Sequence, residues 1–230
     1  MNRILVCDDD RDIVSALEIY LRGAGYEPVA AYSGEEALAV LRETPVQLVL
    51  MDVMMPGMDG IRATLRLREM SNVPVILLTA KSEDNDKILG LNAGADDYIT
   101  KPFNPMEVLA RVRSQLRRFT DLGGEEKRPE LFSVGPIALD DAAKRVTVDG
   151  EPVSLTPIEF SILRLLISHP GQVFSSAQIY EQVWNDPAYG SENTVAVHIR
   201  HLREKLEINP REPRWLKVVW GLGYKLENGR

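Results

Sequence analysis

Cysteine is nearly absent from this 230-residue chain, histidine occurs three times, and no apolar run approaches the roughly 20 residues that a membrane-spanning helix requires. Each scarcity removes a class of protein. With Cys7 alone, no internal disulfide can form and no cysteine-based metal spacing exists. Sitting beside the apolar run Ile4, Leu5, Val6, it reads as a small buried thiol in a reducing compartment. The start MNRILVCDDD is a short strand running into acids rather than a secretory leader, so a cytoplasmic location without a membrane anchor is expected. A positive balance is missing too: the net charge is −7, which argues against coating nucleic acid by bulk electrostatics. From Glu192 to Arg230 the balance reverses, and cations outnumber acids eight to five. Any DNA binding is therefore expected to be local.

What is present is alternation. The first 118 residues carry five short runs rich in Val, Ile and Leu: Ile4 to Cys7, Pro28 to Ala31, Leu48 to Met51, Val75 to Leu78, and Tyr98 to Ile99. Each is too short for a helix and apolar enough for a strand buried on both faces. Amphipathic stretches separate them, such as Ile13, Leu17, Leu21 and Ala24 at helical spacing. Another begins with Ser33 and Glu36, a capping box ahead of Ala37, Leu38 and Leu41. Parallel strands need such crossovers, so the pattern predicts an α/β domain with an open parallel sheet covered on both faces. Residues 119–130, FTDLGGEEKRPE, lack apolar periodicity and read as a linker. Residues 131–230 then change style. Short alternating segments, with Asp149 and Gly150 as a hairpin turn, lead into three capped helices. The first opens at Thr156, Pro157 and Glu159, the second at Ser175 and Gln178, and the third places Val195, Ile199, Leu202 and Leu206 on one face. A closing hairpin spans Leu216 to Trp220 and Tyr224 to Leu226, so the second domain is predicted as an α+β winged helix-turn-helix.

Ligands of open parallel sheets bind outside the carboxyl ends of the strands, where strand order reverses. Strand one ends in Asp8, Asp9 and Asp10, strand three in Asp52, strand four in Thr79, and strand five in Lys101 and Pro102. Carboxylates crowded this way repel one another unless a cation neutralises them. A hard divalent ion, Mg2+, suits Asp9 and Asp52, with Asp8 acting through water and the Met54 carbonyl completing the set. Lys101 supplies a point charge and Thr79 a hydroxyl for phosphoryl oxygens, which leaves one carboxylate free to act as nucleophile.

The stretches VCDDD, LVLMDVMMPGMDG, LLTAK and DDYITKPF closely resemble the receiver domain of OmpR/PhoB-family response regulators, over the whole first domain. LTPIEFSILRLL, TVAVHIRHLREKL and VWGLGYKL resemble the winged helix of the same family. The resemblance implies a flavodoxin-like receiver with sheet order 2-1-3-4-5. It implies phosphorylation of Asp52 by a sensor histidine kinase, with Asp8 and Asp9 holding Mg2+. It gives Thr79, Lys101 and Tyr98 switch roles, and Lys101–Pro102 is expected as a cis bond. It further implies a phosphorylation-dependent homodimer in which Lys87 meets Glu107, Asp97 meets Arg111, and Asp96 meets Arg118 of the partner. Double-stranded promoter DNA, expected as direct repeats, and RNA polymerase are the implied partners.

A rotation of about 100° per residue places Asn193, Val197, Arg200, His201 and Glu204 opposite the aliphatic stripe of the third C-terminal helix, flanked by Thr194 and Arg203. Donors, a small apolar group and cations are what a helix in the major groove needs. His198 and His201 are counted with the expected DNA-binding residues, and their roles stay open between contacts to the DNA backbone, plain surface, pH sensing and ligand binding. Lys217, Trp220 and Tyr224 of the closing hairpin complete the expected DNA-facing set, with Trp220 standing where many relatives carry arginine. Two other chemistries are disfavoured. A phosphohydrolase of the haloacid dehalogenase type needs a carboxylate where this chain has Met54, and a flavodoxin needs a hydroxyl-rich loop where it has three aspartates.

Overall fold

The computed structural model describes residues 1–80, 89–120, 131–184 and 192–227, apart from the side chains of 117–120 and 192. The chain divides into two compact units, Met1–Phe119 and Thr120–Arg230. In the first, strands β1 (Arg3–Cys7), β2 (Glu27–Ala31), β3 (Leu48–Asp52), β4 (Val75–Ala80) and β5 (Asp97–Lys101) pair in parallel in the order 2-1-3-4-5. Helices α1 (Arg11–Gly23), α2 (Gly34–Glu43), α3 (Gly60–Arg68) and α4 (Pro105–Thr120) cross between or follow them.

Strand periodicity explains the two cores. Leu5, Cys7, Val49, Met51, Val75 and Leu77 point to one face and pack with Ala37, Leu38, Ala63 and Leu67. Ile4, Val6, Leu48, Leu50, Ile76 and Leu78 point to the other and pack with Val14, Leu17, Leu21, Val108, Val112 and Leu116. Successive residues thus serve opposite layers, which is why the strands read as unbroken apolar runs. Each such aliphatic side chain contributes about 1.5–3 kcal/mol on burial. The helices are capped locally: Asp10 accepts from Asp12 and Ile13, and the expected cap Ser33 accepts from Glu36 N, while the Glu36 side chain accepts from Tyr32 N rather than closing the box on Ser33. Helix α4 continues to Thr120, so the first two residues of the expected linker are helical, and 121–130 lie outside the described residues.

In the second unit β6 (Leu131–Val134), β7 (Ile137–Asp140), β8 (Arg145–Val148) and β9 (Glu151–Val153) form an antiparallel sheet in sequential order. Asp149 and Gly150, both at positive φ, make the β8–β9 turn. Helices α5 (Pro157–Ile167), α6 (Ser176–Trp184) and α7 (Glu192–Leu206) follow, then the hairpin β10 (Leu216–Val219) and β11 (Gly223–Leu226). Thr156 and Glu159 form a reciprocal capping box on α5. One core unites Ile137 and Leu139 of the sheet with Ile162, Leu166, Ile179, Val195, Ile199, Leu202, Leu216 and Leu226. Among the described residues, no helix is long and apolar enough to cross a membrane.

Candidate functional site

Parallel strands deliver their carboxyl ends to one edge, and there the first unit gathers its charge. Asp52 is the last residue of β3 and only 3% exposed; Asp8 follows β1 and is equally enclosed, while Asp9 is exposed. Lys101 Nζ lies 2.6 Å from Asp52 Oδ1 and 2.7 Å from Asp8 Oδ2. One oxygen each of Asp8, Asp9 and Asp52 falls within 4.8 Å of the others. Burial pushes the Asp52 carboxyl above its usual range against the pull of Lys101. Burial by itself lowers Lys101, but the Asp52 and Asp8 carboxylates outweigh it and hold the ammonium above its ordinary value. One lysine therefore bridges two of three acids, and the hard oxygen set fits a hard divalent ion such as Mg2+.

The neighbouring residues frame this notch. Thr79 is buried near the end of β4, its hydroxyl 3.4 Å from the Ala80 carbonyl. Tyr98 is half-buried against the α2/α3-side core. The Met54 side chain is exposed, Pro102 is exposed, and the Lys101–Pro102 bond is cis. Cys7 is inert here, since burial first and the acids second push its thiol up to about 12. Gly60 opens α3 with its N–H donating to Val53 O at 3.0 Å, and a Cβ added there would strike the Asp52 carbonyl. Glycine is therefore required where the helix meets the end of β3.

The expected dimer face is less uniform than its charges suggested. Asp96 is completely buried; its carboxylate accepts from Arg68 Nη2 at 2.8 Å and from Val75 N at 2.9 Å. Its expected pairing with Arg118 of a second copy is corrected accordingly, because an enclosed side chain presents nothing to a partner. Asp97, also buried, pairs with Arg111 of its own chain at 3.0 Å, and Arg111 reaches the exposed Glu107 at 3.3 Å. Lys87 and the Arg118 side chain lie outside the described residues.

In the second unit α7 exposes Asn193, Ala196, Arg200 and Glu204, a narrower stripe than expected. Thr194, Val197, His198 and His201, all expected toward DNA, are buried. The reason is packing: the Trp184 ring of α6 lies 5.6 Å from His198, and His201 faces Glu159 of α5. Burial lowers His201 below its ordinary value despite Glu159. Glu159 is in turn bound by Lys205 at 2.6 Å. Arg203 is turned inward, Nε donating to Leu216 O at 2.9 Å, so it clamps the hairpin rather than facing outward. Tyr224 is half-buried beside it. Lys217 is half-exposed, and Trp220 stands 88% exposed at the hairpin turn. Sequence reasoning missed Ala196, which the rotation angle on α7 could have found, and Leu222, which shares the exposed turn with Trp220.

Comparison with known proteins agrees with this geometry. Residues 4–113 match the response regulator receiver domain, and residues 150–226 match the transcriptional regulatory protein C-terminal domain. The chain is 40% identical to the regulatory protein VanR of Enterococcus faecium over 98% of this chain and 99% of that one. It is 44% identical to the DNA-binding response regulator MtrA of Mycobacterium tuberculosis, over 97% and 96%. Among solved structures, the OmpR/PhoB homolog DrrB of Thermotoga maritima aligns over 99% of this chain and 100% of that one, at a TM-score of 0.50 and 34% identity. A mutant of RitR aligns over the full length of both chains at a TM-score of 0.77 and 23% identity, a likeness of fold. With a receiver and a winged-helix domain in one chain, the protein belongs to the OmpR/PhoB family of DNA-binding response regulators of two-component systems.

Proposed function

We propose that Asp52 is the phosphoryl acceptor, that a sensor histidine kinase is the donor, and that the modification promotes receiver dimerisation and promoter binding in the cytoplasm. The observation that carries the reading is the enclosed Asp52 carboxylate, 2.6 Å from Lys101 and grouped with Asp8 and Asp9 at the strand ends. A carboxylate oxygen of Asp52 attacks the phosphorus of the donor's phosphohistidine, the bond to the imidazole breaks, and an acyl phosphate forms. Asp8, Asp9, Asp52 and the Met54 carbonyl would hold Mg2+, which when bound neutralises the crowded acids and shields a phosphoryl oxygen. Lys101 exchanges a carboxylate for a phosphoryl oxygen, and Thr79 donates its hydroxyl to another. Tyr98 follows Thr79 inward, which couples the notch to the face carrying Glu107 and Arg111.

Dimerisation on that face uses Glu107 with Lys87, and Arg111 with Asp97. Since Arg111 already pairs within its own chain, the exchange contributes register more than affinity. Asn193, Arg200, Lys217 and Trp220 form the DNA-facing set on direct-repeat promoter sites, from which RNA polymerase is engaged. The test is intact-protein mass spectrometry after incubation with acetyl phosphate, with and without MgCl2. A single Mg2+-dependent phosphoryl adduct mapping to Asp52, and lost in Asp52→Ala, is expected. An adduct that persists in Asp52→Ala overturns the assignment.

A further inference from the structure

The β10–β11 hairpin ends in an apolar turn, Trp220, Gly221, Leu222, where hairpin turns ordinarily carry small polar residues. Trp220 is 88% exposed and Leu222 65% exposed, and Val218 beside them is partly exposed as well. The turn is closed by Leu222 N donating to Val219 O at 2.9 Å. Below the tip, Lys217 and Lys225 sit directly opposite each other across the two strands. Like charges so placed disfavour the hairpin and suit an anionic partner. Lys225 has Glu227 at 3.0 Å, whereas Lys217 has no ion pair among the described residues.

The base of the hairpin is fixed. Phe174 and Tyr224 exchange both backbone hydrogen bonds at 2.9 Å, and a Cβ on Gly223 would strike the Phe174 carbonyl. Glu227 N donates to Trp215 O at 2.8 Å, and Arg203 of α7 holds Leu216 O. The apolar tip is therefore presented on a rigid stem fastened to the helix that exposes Asn193, Ala196 and Arg200. Little ordering remains to be done on binding.

A surface with cations at the flank and flat apolar groups at the tip complements a ligand with rows of negative charge around stacked apolar faces. Duplex DNA has that construction. We infer that the hairpin tip works as an apolar wedge in the minor groove: Trp220, seconded by Leu222, leans between base pairs at a flexible pyrimidine–purine step, unstacks it and bends the duplex, while Lys217 and Lys225 hold the flanking phosphates. The inference rests on the DNA-binding reading and deepens it. It assigns part of the site preference to the deformability of the DNA rather than to hydrogen bonds with base edges.

The test uses the full chain treated with acetyl phosphate, and duplexes enriched from a random pool by the wild type, in one-site and two-site versions. 2-Aminopurine is placed at the step under the wing, and end labels report bending by energy transfer. Trp220→Ala is expected to weaken one-site binding about tenfold or more, to abolish the 2-aminopurine rise and the bend, and to leave the salt dependence unchanged. Trp220→Arg is expected to recover affinity with a log–log salt slope steeper by roughly 0.9, the value for one added phosphate contact, but without the bend. Lys217→Ala is expected to make the slope shallower by about the same amount. Because Trp220 is exposed, near-ultraviolet circular dichroism of its variants should report an intact fold. One-site binding by Trp220→Ala within twofold of wild type, with the 2-aminopurine signal retained, overturns the wedge while leaving DNA recognition standing. A loss confined to two-site duplexes also overturns it, by placing the tip between neighbouring copies. A wild-type chain that enriches no duplex sinks the DNA reading itself, and the wedge with it.

Discussion

At the amino-terminal edge of the five-stranded sheet, Asp96 is sealed from solvent and held by Arg68 and the Val75 amide. Arg68 itself also donates to the carbonyls of Gly94, Ser71 and Val73. At the carboxyl-terminal edge, Asp8 and Asp52 share Lys101, and Asp9 is grouped with them with no lysine of its own among the described residues. Both edges bury acid, on opposite terms. The compensated carboxylate ties α3 to the starts of β4 and β5 and has no chemistry left to offer. The under-compensated one is raised in pKa and stands ready for a cation and a phosphoryl group. Uneven compensation separates an architectural acid from a reactive one more sharply than burial does, since both are buried.

Removing the architectural acid gives the largest expected effect. Asp96→Ala leaves the Arg68 guanidinium without its counter-charge and the Val75 amide without its acceptor, and should cost about 3–5 kcal/mol. Urea denaturation of the variant checks this; a loss under about 1 kcal/mol would mean that the knot is dispensable. Glu159→Ala in the second unit should cost less, about 2 kcal/mol, because it removes a capping box while water takes over the partly exposed Lys205. That loss should appear in the melting of the second unit alone.

The reactive edge should respond with the opposite sign. Burial raises the Asp52 pKa in the folded state, so its ionisation opposes folding once the pH rises through that pKa. Asp52→Asn should therefore stabilise the Mg2+-free protein at pH 7 by about 0.5–2 kcal/mol. The gain should fade as the pH falls from the raised folded pKa toward the ordinary carboxylate value of 3.8, and be gone below it; a pH-independent gain would argue against an electrostatic origin. His201 supplies the smallest effect. Its folded pKa is lowered, so its contribution is intact above the ordinary value of 6.5 and declines as the pH falls below it, toward the folded pKa. Melting between pH 7.5 and 5.5 should show the second unit losing stability, and His201→Gln should flatten the curve.

The same contrast explains what could be read from the amino acids alone. Strand geometry is strict: side chains alternate, parallel strands end together, and residues that follow an apolar run reach one edge. Asp8, Asp52, Thr79 and Lys101 could accordingly be placed before any coordinates. Helix α7 gave less. Its aliphatic residues marked the middle of the buried arc but not its width, because Thr194, His198 and His201 are polar yet buried, His198 beside Trp184 of α6 and His201 beside Glu159 of α5. A polar side chain announces surface only where no neighbour supplies an apolar wall or a counter-charge. Asp96 misled for that reason, since its partner Arg68 is 28 residues away and no local pattern joins them.

The close approach of Gly60 to the Asp52 carbonyl gives the receiver a stiff seam on one flank of its reactive residue. With no room there for even a methyl group, α3 acts as an anvil. Any side chain at position 60 would have to push the start of that helix away from the end of β3, and with it the backbone of Asp52.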